Sequence, residues 1–272
     1  MASLTHASRD CITPSNIDEF KAWFATTFEY NSSKYDNYYN VATQLLHKSF
    51  INSEFWNAVK RELPNINDTY RIQKGYPLLT KTERPEIYIK SLESLIIKAY
   101  RRNQLNNPNF PNPPSDGWIM PGNWFSSVND ILRTTIVVKY LDGVEYLLQQ
   151  LAQIASNCSC RLDYSLEARE EGYYAAHGGL KISLDLIDES FQSFPQLMNI
   201  EIQVTTELQE IIKTLLHKHY EENRKRTKPK NYKWQWDYQC DEFSSNYLGH
   251  IVHYVEGMIV EIRNKQNSDI KK

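Results

Sequence analysis

The 272-residue chain is predicted to be an α+β protein, with helices first, a mostly β core next and helices again at the end. Three observations carry this. Apolar residues recur at three- and four-residue steps from about 16 to 63, they alternate at period two in segments such as "NIEIQVTT", and helical spacing returns from about 242 to 265. A chain of this length can bury a substantial interior as one large domain or as a core with helical additions.

Taken in order, Ile17, Phe20, Phe24 and Phe28 follow a cap at Ser15, and "SEFWNAVKREL" repeats the pattern behind Ser53. A looser stretch, "PNINDTYRIQKGYPLLTKTERPE", is expected to lead into a helix over about 87 to 103. The Asn-, Pro- and Gly-rich run "NQLNNPNFPNPPSDGWIMPGN" then reads as a long loop. "DILRTTIVVKYL" has the β-branched run of a buried strand, and Val144, Leu147, Leu148 and Leu151 share one face of the helix after it. "CSCRLDYS", "YYAAHGGLKISLDLI" and "NIEIQVTT" supply three more strands, followed by the helix "ELQEIIKTLLHKHYEENRKR", a basic and aromatic link, and the last helix. The expected organisation is a helical region at 1–86, a core at 87–224, and the link with the C-terminal helix at 225–272, packed as one globular unit.

Composition removes several function classes. A formal net charge of −2 gives no bulk attraction to nucleic acid, so a polyanion site has to be a local patch. Cys11, Cys158, Cys160 and Cys240 form neither a C-x-x-C nor a second pair at zinc spacing, which argues against a structural zinc site and a disulfide framework. No stretch approaches the roughly 18 apolar residues of a membrane span, and the N-terminus has no signal-peptide core. A cytoplasmic protein with no membrane partner is expected.

The residues with chemistry are scattered. Glu201 lies on the polar side of an alternating strand, and Asp130 stands just ahead of "ILRTTIVV"; two such carboxylates at one end of a sheet would suit Mg²⁺, which takes hard oxygen ligands and leaves positions for substrate phosphates. Lys90, Ser94 and Lys98 fall at i, i+4 and i+8, a stripe able to grip a triphosphate, or else an ordinary solvated face. In "RLDYSLEAREEGYYAAH", Gly172 beside Tyr173 would let a ring be offered to a base, with Arg169 and His177 near phosphate or sugar; the plain alternative is a hairpin with two surface tyrosines. "RKRTKPKNYKW" gathers Arg224, Lys225, Arg226, Lys228 and Lys230 next to aromatics, which suits either a phosphate backbone or a solvated helix end. His250 and His253, a turn apart without further ligands, read as packing residues.

In their order, Lys-x-x-x-Ser-x-x-x-Lys, an Asp before a strand, Asp163-Tyr164, Arg169 ahead of Gly172-Tyr173, His177 and Glu201-Ile202-Gln203 resemble the synthetase domain of the RelA/SpoT alarmone synthetases over about residues 87 to 220. The resemblance implies a nucleotidyltransferase-like mixed β-sheet flanked by helices. It also implies an ATP-dependent, Mg²⁺-requiring pyrophosphokinase that moves the β,γ-pyrophosphate of ATP to a 3′-hydroxyl. By it, Lys90, Ser94, Lys98 and Arg133 bind ATP, Asp130 and Glu201 are the catalytic and metal-binding acids, and Arg169, Tyr173, His177 and Gln203 bind the acceptor. Positioning, cations and a carboxylate at the attacking hydroxyl are what phosphoryl-type transfer needs.

Some positions depart from that pattern. The strand usually read as Glu-Ile-Gln-Ile-Arg-Thr has Thr205 where the Arg falls, the usual Met-His is Gln209-Glu210, Thr135 stands where an Arg is usual, and Leu162 replaces a lysine. No His-Asp dipeptide occurs, so the resemblance implies a synthetase without the hydrolase of bifunctional members. The chain looks most like the toxic small alarmone synthetases of toxin–antitoxin systems. An antitoxin protein is therefore expected as partner, and the 3′-CCA end of tRNA as acceptor; the alternatives are a free guanine or adenine nucleotide as acceptor, or a catalytically silent nucleotide- or RNA-binding module.

Overall fold

The computed structural model describes residues 13–80, 85–225 and 232–270. The chain forms two compact units interleaved in sequence: one takes residues up to Lys48, Ile89–Ile131 and Ser183–Met198, the other Ser49–Tyr88, Leu132–Ile182 and Asn199 onward.

The first unit is built on α1 (Ile17–Thr27), most of α2 (Ser32–Ile51), α4 (Leu92–Tyr100) and a short α5 (Trp124–Ser127). Asn16, rather than the expected Ser15, caps α1: its side-chain oxygen accepts the N–H groups of Asp18 and Glu19, while Ser15 bonds Glu19. Phe20, Phe24, Tyr39, Leu95 and Trp124 are fully buried. The long Asn- and Pro-rich loop is held from within, because Asn103 donates to the carbonyl of Ile119 at 2.8 Å and accepts its N–H at 2.9 Å, taking the place of a strand partner.

The second unit contains α3 (Glu54–Lys74), α6 (Asp142–Asn157), α7 (Glu207–Lys225) and α8 (Asp241–Ile270) around most of a mixed sheet. The sheet order is β1 (Ile87–Ile89), β2 (Leu132–Val138), β5 (Ser193–Thr206), β4 (Tyr174–Ile187), β3 (Arg161–Ala168). β2 and β5 run parallel, with Arg133 opposite Glu201 and Thr135 opposite Gln203, whereas β3 and β4 are antiparallel, with Ser165 opposite His177. The sheet is thus mixed and flanked by helices, as expected.

Two boundaries differ from the sequence reading. Pro64 does not end α3, because Val59, Leu63, Ile66 and Tyr70 keep a buried face at helical spacing past it; the helix stops at Gly75, left-handed at φ 83°. The segment expected to be helical from 87 begins as strand β1, and Ser91 caps α4 by accepting the N–H of Ser94 at 3.2 Å. Lys90 therefore lies on the strand-to-helix junction, and the supposed single stripe of Lys90, Ser94 and Lys98 is two structural contexts.

Candidate active site

In the first unit, the backbone N–H of Lys90 donates to the carbonyl of Ile131 at 2.9 Å, which sets residue 90 beside residue 130. The buried Tyr39 hydroxyl donates to the Lys90 carbonyl at 2.8 Å and holds the junction from the other side. Lys90 Nζ then meets one oxygen of Asp130 at 2.9 Å, and Lys98 Nζ, two turns into α4, meets the other at 2.7 Å. Burial alone would raise the Asp130 pKa, but the hydrogen bonds and charges of Lys98 and Lys90 outweigh it and hold the carboxyl below the usual carboxylate range. Burial, helped by the nearby Asp130, pushes the Tyr39 phenol up. Ser94 is exposed and its hydroxyl accepts from Ser91 at 2.9 Å rather than joining the lysines.

In the second unit, the alternation of β2 and β5 puts Arg133, Thr135, Glu201 and Gln203 on one face while Thr134, Ile136, Ile202 and Val204 are buried. His177 on β4 joins them: its Nδ1 lies 2.8 Å from Glu201 Oε1, and its Nε2 lies 3.0 Å from the Tyr173 hydroxyl. Gln203 Nε2 donates to the same Glu201 oxygen at 3.1 Å, and the Thr135 hydroxyl reaches Gln203 Oε1 at 3.5 Å. The Arg169 guanidinium lies 5.2 Å from the centre of the Tyr173 ring and is bonded to Glu167 at 2.5 Å. The result is a continuous polar chain, Thr135–Gln203–Glu201–His177–Tyr173, with an arginine over its last ring. His177 and Glu201 are each 20% exposed, wet enough to meet a ligand and dry enough for the bonds to count.

The site residues named from sequence thus fall into two groups, Lys90, Lys98 and Asp130 in one unit and Arg169, Tyr173, His177, Glu201 and Gln203 in the other; Arg133 is exposed at the start of β2. Arg224 and Lys225 close the backbone of α7, and Arg226, Lys228 and Lys230 lie outside the described residues. Sequence reasoning missed Tyr39, whose signal is only that of a core aromatic, and the part played by Thr135, legible once β2 and β5 are known to pair in parallel.

Two positions that depart from the RelA/SpoT pattern, Thr205 and Gln209, turn inward beside the shared Thr206. Thr205 is buried, the Thr206 hydroxyl donates to Glu256 Oε1 on α8, and Gln209 Nε2 donates to Glu256 Oε2 at 3.3 Å. His250 and His253 pack, as expected: the Tyr174 ring stacks on His253 at 3.7 Å and 6°, and its hydroxyl lies 2.9 Å from His250 Nδ1.

No protein-family model matches the sequence, and no curated protein matches it significantly. Solved structures do match. Small alarmone synthetase 2 from Bacillus subtilis superimposes with a TM-score of 0.52 at 15% identity, over 82% of this chain and 97% of that one. Small alarmone synthetase 1 from Bacillus subtilis, bound to its product pppGpp, gives 0.50 at 14% identity, over 86% and 99%. At these identities the likeness establishes a shared fold over nearly the whole length of both enzymes.

Proposed function

We propose that this chain, built on the fold of the small alarmone synthetases, is an ATP pyrophosphokinase of RelA/SpoT type. The observation that carries the reading is the division of chemistry between its two carboxylates: Asp130 is ringed by cations, and Glu201 is wired to an imidazole and a phenol. Lys90 and Lys98 take the triphosphate, exchanging their bonds to Asp130 for bonds to phosphate oxygens. Arg169 and Tyr173 receive the acceptor base and its phosphate. Glu201, oriented by His177 and Gln203, accepts the proton of the 3′-hydroxyl as that oxygen bonds the β-phosphorus; the bond from the β-phosphorus to the α,β-bridging oxygen breaks, and AMP leaves with the electron pair.

Mg²⁺ fits the donor set. Asp130 is a carboxylate held in its ionised form, and among the described residues no group of three or more His, Cys, Asp or Glu gathers, so the ion would be completed by substrate oxygens, as Mg²⁺ commonly is. Asp130 would hold it, and it would neutralise charge developing on the phosphates.

For the acceptor we propose the 3′-CCA end of tRNA, with growth inhibition as the outcome and an antitoxin protein as the natural restraint. The support is that Thr205 and Gln209, which stand where the usual pattern has an Arg and a Met, sit buried, Gln209 bonded to Glu256, and that "RKRTKPK" supplies local positive charge. A free nucleotide is the second reading, supported by a fold neighbour whose product is pppGpp. The test is incubation with γ-labelled ATP and tRNA, GDP, GTP and AMP in competition. Label on tRNA upholds the proposal, label on free nucleotides alone transfers it to the second reading, and label on none refutes the enzyme.

A further inference from the structure

The turn that carries Arg169 and Tyr173 is seated directly on the backbone of α8. Gly172, left-handed at φ 73°, is buried, and a Cβ there would lie 2.2 Å from the carbonyl oxygen of Asn246 and 3.1 Å from the N–H nitrogen of His250. The contact is reciprocal, since a Cβ on Gly249 would lie 2.2 Å from the carbonyl oxygen of Gly172. Only two glycines facing each other let helix and turn approach this closely. Within the turn, Gly172 N–H donates to the Arg169 carbonyl and Arg169 N–H to the Tyr173 carbonyl, both at 3.0 Å.

A side chain fastens the same joint. His250 Nε2 lies 2.9 Å from the carbonyl oxygen of Glu170, which can only accept, so Nε2 carries a proton, and Nδ1 pairs with the Tyr174 hydroxyl at 2.9 Å. Tyr174 is stacked on His253 one turn further along α8, and Gln235 donates to the Glu170 carboxylate. Three parts of the turn, Glu170, Gly172 and Tyr174, are thereby held by residues of α8, while the Tyr173 backbone is tied to Arg169 within the turn. Tyr173 in turn bonds His177, which bonds Glu201.

We infer that Gly249 and His250 are positioning residues: α8 acts as the clamp that holds the acceptor-binding turn in register with the Tyr173–His177–Glu201 chain. This rests on the acceptor role proposed for Tyr173 and Arg169. The clamp touches no substrate, so loosening it should degrade acceptor binding and leave ATP binding alone.

The experiment pairs hydrogen exchange with kinetics on the full chain. In His250→Ala, backbone amides of 169–174 should exchange at least tenfold faster while those of β2 keep their wild-type rates. KM for the acceptor should rise about tenfold with KM for ATP within twofold. His250→Gln, which can donate to Glu170 and accept from Tyr174, should recover most of both effects. Gly249→Ala should mimic His250→Ala or fail to fold; Ile251→Ala, on the exposed side of α8, should behave as wild type. Unchanged exchange in the turn, a loosened turn with unchanged acceptor KM, or equal changes in both KM values would overturn the inference. A wild-type protein that labels no acceptor would instead overturn the proposed function, a result the exchange measurement does not share.

Discussion

His177 Nδ1 stands 2.8 Å from Glu201 Oε1 while its Nε2 stands 3.0 Å from the Tyr173 hydroxyl, so one imidazole ties the candidate base to the candidate stacking ring. His177→Ala removes both bonds at once. It should lower kcat about 10²-fold, the usual scale for a group in the proton-transfer path, with ATP KM little changed. Steady-state kinetics with each substrate varied in turn checks it; an effect confined to ATP KM would move His177 out of the acceptor site.

Lys98→Ala should raise KM for ATP by roughly 10- to 100-fold, the loss of a charge-assisted bond of about 1.5–3 kcal/mol. It also leaves Asp130 with Lys90 as its cation, so the fold should survive. Asp130→Asn keeps the shape and removes the charge, and should cost more than tenfold in kcat. Direct ATP binding measured beside turnover separates the two, since Asp130→Asn should lose turnover even at saturating ATP.

Arg263 is 4% exposed, bonds Asp142 at 2.5 Å and lies 4.8 Å from the Tyr140 ring, while the Tyr70 hydroxyl donates to the other Asp142 oxygen at 2.9 Å. Arg263→Ala strands a mostly buried carboxylate, with Lys74 at 3.9 Å as the nearest remaining cation. The expected destabilisation is about 3 kcal/mol, read from urea midpoints. Arg263→Ala together with Asp142→Ala should cost less than the single change, because nothing charged is then left unpaired.

Glu256 is buried on α8, and burial raises its pKa against the lowering effect of its bonds to Thr206 and Gln209. A carboxyl whose folded pKa lies above the unfolded value of 4.5 stabilises the fold fully below that value, and the contribution is lost as pH rises through the folded pKa. Glu256→Gln, whose amide can keep the Thr206 bond, should therefore melt higher than wild type at pH 8 by a few degrees, with the gap closing toward pH 4.5. A constant gap across that range would mean the effect is packing and not ionisation.

The strands and most helices were legible because burial writes itself as period: Leu132 to Val138 and Ile200 to Val204 show their inward sets directly. Pro64 misled because local propensity predicts a break, and tertiary burial of Ile66 and Tyr70 overrode it. β1 was hidden by its length, since three residues of alternating exposure cannot be told from the first turn of a helix. Among the candidate residues, order along the chain and family resemblance single out Asp130, His177 and Glu201, but the pairing of Lys90 with Asp130 depends on a backbone bond from residue 90 to residue 131 that no local pattern encodes. The glycine contact of 172 with 249 was equally invisible, as it joins a turn and a helix 77 residues apart through atoms that every residue possesses.

The interleaving of the two units limits how the molecule can be taken apart. The chain passes from one unit to the other five times, after residues 48, 88, 131, 182 and 198, and the last two passages fall inside β4 and β5. No single truncation isolates either unit from the other: a fragment ending at 131 keeps Lys90, Lys98 and Asp130 but loses 183–198, and a fragment starting at 132 keeps Glu201 but loses 49–88. Recombination between relatives meets the same obstacle, because a crossover anywhere between residues 49 and 198 gives both units segments from two parents. The practical unit of cloning, and the heritable one, is the whole stretch from α1 to α8.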